Sequence, residues 1–552
     1  MSIKRMTRRE FLRFAGVTSV GLVAAACAPA VPPAPIPATA PAVAPTSVPP
    51  AAPSATAVPA ATAGAQAGGT LRIISTADAI VLGYTPNFTA YQDFMMFQPA
   101  IESLGRLDAS GQIVPFLASA FKEDASAKTI TITLRKGIKF HDGTDFNADA
   151  VKWNVDQFLA SGRTEIKGVT SVDIVDDSTV RVNMAKWDNT MLGGLGYYAG
   201  PMISPAAFQK NGKDWALTHP VGTGPFQFVG WEREVSVKYK KFDGYWQKGK
   251  PYLDTVEFHI IKDPMVATAS FKSKEADVFL SVPAQNAKDL EKAGGVQVLN
   301  LKTGQGAVIY GLMSDTVHPN SPFANVKVRQ AVGYAIDNKT LVDTLLYGYA
   351  TPTNQWGVPA NWSYNPDVKG YPFNPDKAKQ LLAEAGYPNG FKTKLTTNTR
   401  APENVQVMTA IQGYLKAVGI DGQIDVLELG AWNLVATKNP WDGLIWWSSR
   451  ADADLPLVMP RNLSAGGPTY SHGVMRVAKL DQMLADARVA PDFATKKALC
   501  MQLQQLVIDE MALFTPLYVA ATLITKYPNV QNEGMNVTHG STWTPEEAWL
   551  KA

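Results

Sequence analysis

Cysteine is almost missing from this 552-residue chain, which has two, Cys27 and Cys500. That excludes a disulfide framework and any metal site built on several cysteines, so a conventional apolar core must supply the stability. Histidine is scarce too: there are six, none paired at i, i+4, which removes the helical two-histidine zinc pattern. The chain shows no HExxH, GxSxG or CxxC, no P-loop and no dinucleotide-type glycine pattern. No catalytic constellation is visible, although a triad scattered along the chain assembles only in the fold, which keeps an exported enzyme as a rival reading. Charge is absent from residue 14 through residue 71. The apolar stretch at 14–26 is 13 residues long, short of the roughly 20 that span a bilayer.

What stands at the N-terminus is a set of export signals. Thr7-Arg8-Arg9-Glu10-Phe11-Leu12-Arg13 matches the twin-arginine pattern, and the short apolar stretch ends in Ala24-Ala25-Ala26-Cys27. A basic head, a short apolar region and small residues read as a signal peptide over 1–27. The Cys27 context resembles the lipobox of bacterial lipoproteins, departing from it at Ala24 where leucine is usual. The resemblance implies a lipid anchor at Cys27 and a protein held outside the cell membrane, in the periplasm or on the outer face of the cytoplasmic membrane. Residues 28–68 follow as a linker of Ala, Pro, Thr, Ser and Val, with 11 prolines between 28 and 67. Such a composition buries no core and favours extended polyproline II.

The formal charge of +3 belongs to the signal region. Without residues 1–27 the chain carries 46 basic and 47 acidic residues, so there is no basic footprint for nucleic acid. The remaining body is too long for one compact core and implies at least two lobes. Thr129-Ile130-Thr131-Ile132-Thr133-Leu134 alternates as a half-buried strand. Asn147 is placed to cap a helix carrying Val151, Val155, Phe158 and Leu159 on one face, closed by Gly162. Residues 172–184 read as a hairpin. Asn374-Pro375 opens another helix by cap and N1 proline, and Cys500 falls on the apolar face of a third. Strands and helices intersperse, so the class is mixed α/β.

Three segments then resemble a known family. They are Pro115-Phe116-Leu117-Ala118 leading to Lys139-Phe140-His141-Asp142-Gly143-Thr144, Pro220-Val221-Gly222-Thr223-Gly224-Pro225-Phe226 continuing to Gly249-Lys250-Pro251-Tyr252-Leu253-Asp254, and Val328-Arg329-Gln330-Ala331-Val332 to Asp337. In order and spacing they are similar to the family 5 solute-binding proteins, the dipeptide and oligopeptide binders of ABC importers. The resemblance implies a two-lobed periplasmic-binding-protein-like clamp with an extra subdomain in the first lobe. Residues 69–308 with 528–552 would form the first lobe and 309–527 the second. It further implies a small-molecule or peptide ligand, an ABC permease as membrane partner, a monomer, and no enzymatic activity, cofactor or metal. An oligosaccharide or another solute on the same fold is the alternative. His141 is read as a structural, hydrogen-bonded histidine.

The ligand residues are sought where aromatics and placed charges gather. The segment Trp441 to Asp454 contains Trp446, Trp447, Arg450, Asp452 and Asp454. The family carries a tryptophan and acidic residues here, one of them pairing a peptide's α-amino group; this implies Asp452 or Asp454 for that role. Arg450 stands to pair a ligand carboxylate or these aspartates. On a strand, Trp446 and Trp447 face opposite sides, so one is expected to line the cleft and the other to fill core. Tyr310 and Trp356 complete the candidates by their place near the supposed hinge.

Overall fold

The computed structural model describes residues 64–552 except 89–90, 109, 301–306, 400–401, 439, 465–466, 468–470, 521 and 536–544. The signal region, Cys27 and residues 28–63 of the linker lie outside the described residues. No helix among the described residues is long and apolar enough to cross a membrane.

Two large sheets organise the body. The first has seven strands in the order Gln297–Asn300, Leu523–Lys526, Val278–Leu280, Thr70–Ser75, Thr255–Ile260, Ser236–Lys241 and Phe226–Glu232. Thr70–Ser75 runs parallel to both of its neighbours, and the other pairs are antiparallel. The second sheet has six strands, Ala350–Pro352, Phe514–Ala520, Val308–Ser314, Leu444–Arg450, Phe391–Asn398 and Ile420–Leu427. Each has its own apolar core, as a two-lobed protein of this length requires.

The chain passes between the sheets twice, between Asn300 and Val308 and between Ala520 and Leu523. The limit of the second lobe, expected at 527, therefore falls earlier. Leu523–Lys526 pairs with Val278–Leu280 and Gln297–Asn300 in the first sheet. The C-terminal tail also belongs to that side: Val530–Gln531 pairs with Trp549–Leu550, and Glu546 and Glu547 form ion pairs with Arg106 and Lys250.

A four-stranded antiparallel sheet forms the extra subdomain, in the order Ala118–Asp124, Thr129–Leu134, Thr179–Met184 and Val169–Asp176. The alternation seen in residues 129–134 is realised, with every second residue buried. Helix Ala148–Ala160 packs on this sheet, capped as expected by Asn147, whose side chain accepts from the Ala150 N–H at 3.0 Å. Asn374 caps Pro375–Glu384 in the same way. His141 is structural: its Nε2 lies 2.8 Å from the Gly224 carbonyl, and burial pushes its pKa down to about 4, which keeps it neutral.

Candidate functional site

A cavity of about 200 Å³ lies between the lobes. Its first wall comes from the extra subdomain and the segments beside it. Leu107 and Ile113 belong to the hairpin of Gly105–Leu107 and Ile113–Pro115, Glu123 to strand Ala118–Asp124, and Tyr197 and Tyr198 to the π-helical turn Gly194–Tyr198. The second wall comes from the six-stranded lobe, with Trp362, Asp454, Leu457, Phe493 and Lys496. Aromatic faces with a few charged groups are the composition of a small-ligand site.

Two helix starts place the charged groups of the second wall. Asp492 caps helix Phe493–Gln504, accepting from the Thr495 N–H at 2.8 Å, and this puts Lys496 in the first turn facing inward. Asp454 stands at the N-cap position of helix Leu455–Leu463, where a carboxylate usually accepts a backbone N–H. Here it makes no such bond. Its Oδ2 instead accepts from Lys496 Nζ at 2.6 Å, and its Oδ1 is buried without a hydrogen-bond partner.

Asp452, two residues earlier, is completely buried. Arg450 Nε lies 3.0 Å from its Oδ2, close enough for an ion pair. The geometry is poor for a hydrogen bond, and neither carboxylate oxygen has an aligned donor. Burial pushes the Asp452 pKa up, Arg450 opposes that, and Asp454 adds to it. The Arg450 guanidinium lies 5.1 Å from the centre of the Tyr198 ring on the facing lobe. Arg450 is thus committed to Asp452 on one side and stacked at the cleft on the other.

The tryptophans fall elsewhere. Trp446 and Trp447 do face opposite sides of strand Leu444–Arg450, but both are core residues and neither lines the cavity. The strand is central in its sheet with apolar layers on both faces, so alternation moves a side chain from one core to another rather than from core to cleft. Trp446 stacks with Tyr310 at 5.6 Å, and Trp447 packs on Trp432 at 5.6 Å. Tyr310, also stacked on Tyr518, is not among the lining residues. Trp356 is fully buried and donates its Nε1–H to the Arg450 carbonyl at 3.0 Å, so it braces the arginine from behind. Of the aromatics that do line the cavity, Phe493 opens the helix that carries Cys500, while Trp187, Tyr197, Tyr198 and Trp362 come from segments without periodic signal. Only the fold brings them together.

Beside the cavity, the segment 187–189 is bonded to the end of helix Ala478–Val489 across the cleft. Trp187 Nε1–H donates to Ala490 O at 3.0 Å, Asn189 N–H to Arg488 O at 2.8 Å, and the Asn189 amide to Ala487 O at 2.8 Å. Asp188 pairs with Arg488. These donors satisfy carbonyls that the helix end leaves open.

One group among the described residues could hold a metal ion: Asp315, His318 and Asp442, whose ligand atoms lie within 4.8 Å of one another. Its charges are already offset. Asp315 accepts from the Val317 and His318 N–H groups and from the His318 ring, and Lys394 lies 3.5 Å from Asp442.

A two-lobed α/β body closed over a cavity with buried charges defines a solute-binding protein rather than a structural one. Residues 112–469 match the model of the bacterial extracellular solute-binding proteins, family 5 (middle part), and the chain belongs to that family. It is 33% identical over 423 residues to the glutathione-binding protein GsiB of Shigella dysenteriae, covering 74% of this chain and 81% of that relative. Among solved structures it resembles the ABC transporter substrate-binding protein CtaP of Listeria monocytogenes, with a TM-score of 0.76 at 20% identity over 88% of this chain and 100% of the other. It also resembles the periplasmic binding protein DppA of Helicobacter pylori, solved with the peptide STSA, with a TM-score of 0.67 at 23% identity over 88% and 99%. Both likenesses speak to the fold.

Proposed function

We propose that this chain is the extracytoplasmic substrate-binding lipoprotein of an ABC importer, and that it captures a short peptide or a closely related solute between its lobes. Asp454 carries the reading. It is a carboxylate in the wall of the inter-lobe cavity with one oxygen buried and unpartnered. Lys496 already holds the other oxygen, but a buried acceptor without a donor remains costly, and a peptide's α-ammonium can give that second oxygen its hydrogen bond. Asp452 stands behind it, paired with Arg450. The aromatic walls of Tyr197, Tyr198 and Trp362 take the apolar parts of the ligand. The 33% identical relative, named for glutathione, itself a small peptide, supports the ligand class.

Ligand binding favours the closed lobes by its differential affinity for the two states, and a membrane permease reads that closure. Export runs through the twin-arginine signal, and acylation of Cys27 tethers the mature monomer by a proline-rich stalk. Native mass spectrometry of the purified mature protein tests the reading. Heterogeneous co-purified peptide masses are the expected result, and a single sugar-like mass would replace the peptide by an oligosaccharide. Cys27→Ser is expected to move the protein from the membrane fraction to the soluble one; retention at the membrane would contradict the anchor.

A further inference from the structure

The cavity's charges are unequal. Three carboxylates line it, Glu123, Asp454 and Asp492, against one cation, Lys496. Lys496 stands where a lysine is disfavoured. It is in the first turn of its helix, at the positive end of the helix dipole, and it is only 6% exposed. Its ammonium is held by Asp454 Oδ2 at 2.6 Å and lies 5.6 Å from the centre of the Trp362 ring. Glu123 approaches from the other lobe. Burial pushes its carboxyl pKa up, Lys496 draws it down, and Asp454 raises it, so the three charges act on one another across the cleft. Arg450, on the strand that leads to Asp454, is paired with Asp452.

We infer that Lys496 is a specificity-determining residue, which masks one cavity carboxylate and leaves a net negative cavity that selects neutral and cationic peptides over anionic ones. The inference rests on the peptide reading above and deepens it. It implies that glutathione, which carries two carboxylates against one ammonium, is a disfavoured ligand of this protein. Removing the ammonium leaves Asp454 and Glu123 uncompensated, so cationic ligands gain and anionic ligands lose. Removing the Glu123 charge does the reverse. A side chain that only packs would shift all ligands alike.

Isothermal titration with Ala-Lys-Ala and Ala-Glu-Ala, equal in length and near in volume, reads the rule as a ratio of affinities. The wild type is expected to prefer Ala-Lys-Ala. Lys496→Gln raises that preference about tenfold, Glu123→Gln lowers it, and Lys496→Arg leaves it in place. Lys496→Arg keeps the test sound if the glutamine variant folds poorly. An unchanged ratio in Lys496→Gln, or a wild-type preference for Ala-Glu-Ala, overturns the inference while leaving peptide binding intact. Failure of the wild type to bind either peptide overturns the peptide reading itself, and the charge rule with it.

Discussion

Strand Leu444–Arg450 and the loop that leaves it, residues 451–454, are neighbours in sequence and both largely buried, yet they do opposite things. The strand carries two adjacent tryptophans that fill two cores. The loop carries two aspartates: both oxygens of Asp452, behind the cavity, and Oδ1 of Asp454, in its wall, lack a hydrogen-bond donor. The difference teaches that chemical prominence in a sequence marks packing as readily as binding. The indole N–H groups of Trp446 and Trp447 also lack partners, but they lie in core; the better sign of a ligand is a buried unpartnered polar atom in a cavity wall, as at Asp454. A third buried carboxylate makes the contrast sharper. Glu102 accepts from the Tyr245 hydroxyl at 2.6 Å, the Trp246 indole at 2.9 Å and the Thr223 hydroxyl at 2.9 Å. It is satisfied from within, and it is structural.

The largest effect belongs to the strand. Trp447→Ala is expected to cost about 3–5 kcal/mol of stability by cavity formation, measured by calorimetry, while the folded fraction binds peptide within about twofold of the wild type. A selective loss of affinity with an unchanged melting temperature would return Trp447 to the site.

Glu102 comes next. Burial raises its pKa from 4.5 to about 7 in the folded state. A raised folded pKa means its stabilising contribution is full below about 4.5 and is lost as pH rises through about 7. The wild type should therefore lose about 3 kcal/mol between pH 4 and 8 relative to Glu102→Gln. Denaturant titrations across that range check it, and parallel pH profiles would show that the three donors hold the group ionised.

Asp454→Asn is expected to weaken free-amine peptides by about 100-fold with little change in melting temperature, the inverse of the tryptophan variant. The smallest effect is at the inter-lobe contact. Arg488→Ala removes the Asp188 pair and, through a less populated closed state, should weaken every ligand alike by about threefold. Unequal losses among ligands would mean that Arg488 touches them.

Much of the fold was legible because local rules decide it. The alternation at 129–134 and the caps at Asn147 and Asn374 fall on the elements they implied. The site was less so. Asp452 and Asp454 could be singled out from their neighbourhood, but not that Asp454 would forgo its cap or that Lys496, 42 residues on, would meet it. One of Trp446 and Trp447 was expected in the cleft and the other in core, and Tyr310 and Trp356 were candidates by their place near the supposed hinge. Burial on both faces of a central strand depends on what packs above and below it, which period two does not encode. Tyr197 and Tyr198 lie in a π-helical turn and Trp187 in a loop, and neither has a sequence pattern that points to a cavity.

The most direct test of the account removes the cation from the ligand instead of the anion from the protein. Isothermal titration of the mature wild-type protein with Ala-Ala-Ala and with N-acetyl-Ala-Ala-Ala compares a free ammonium with a blocked one. The account predicts measurable binding of the free peptide and binding at least about 100-fold weaker for the acetylated one. Equal affinities would contradict an amine-binding role for Asp454, and binding of neither would contradict the peptide clamp.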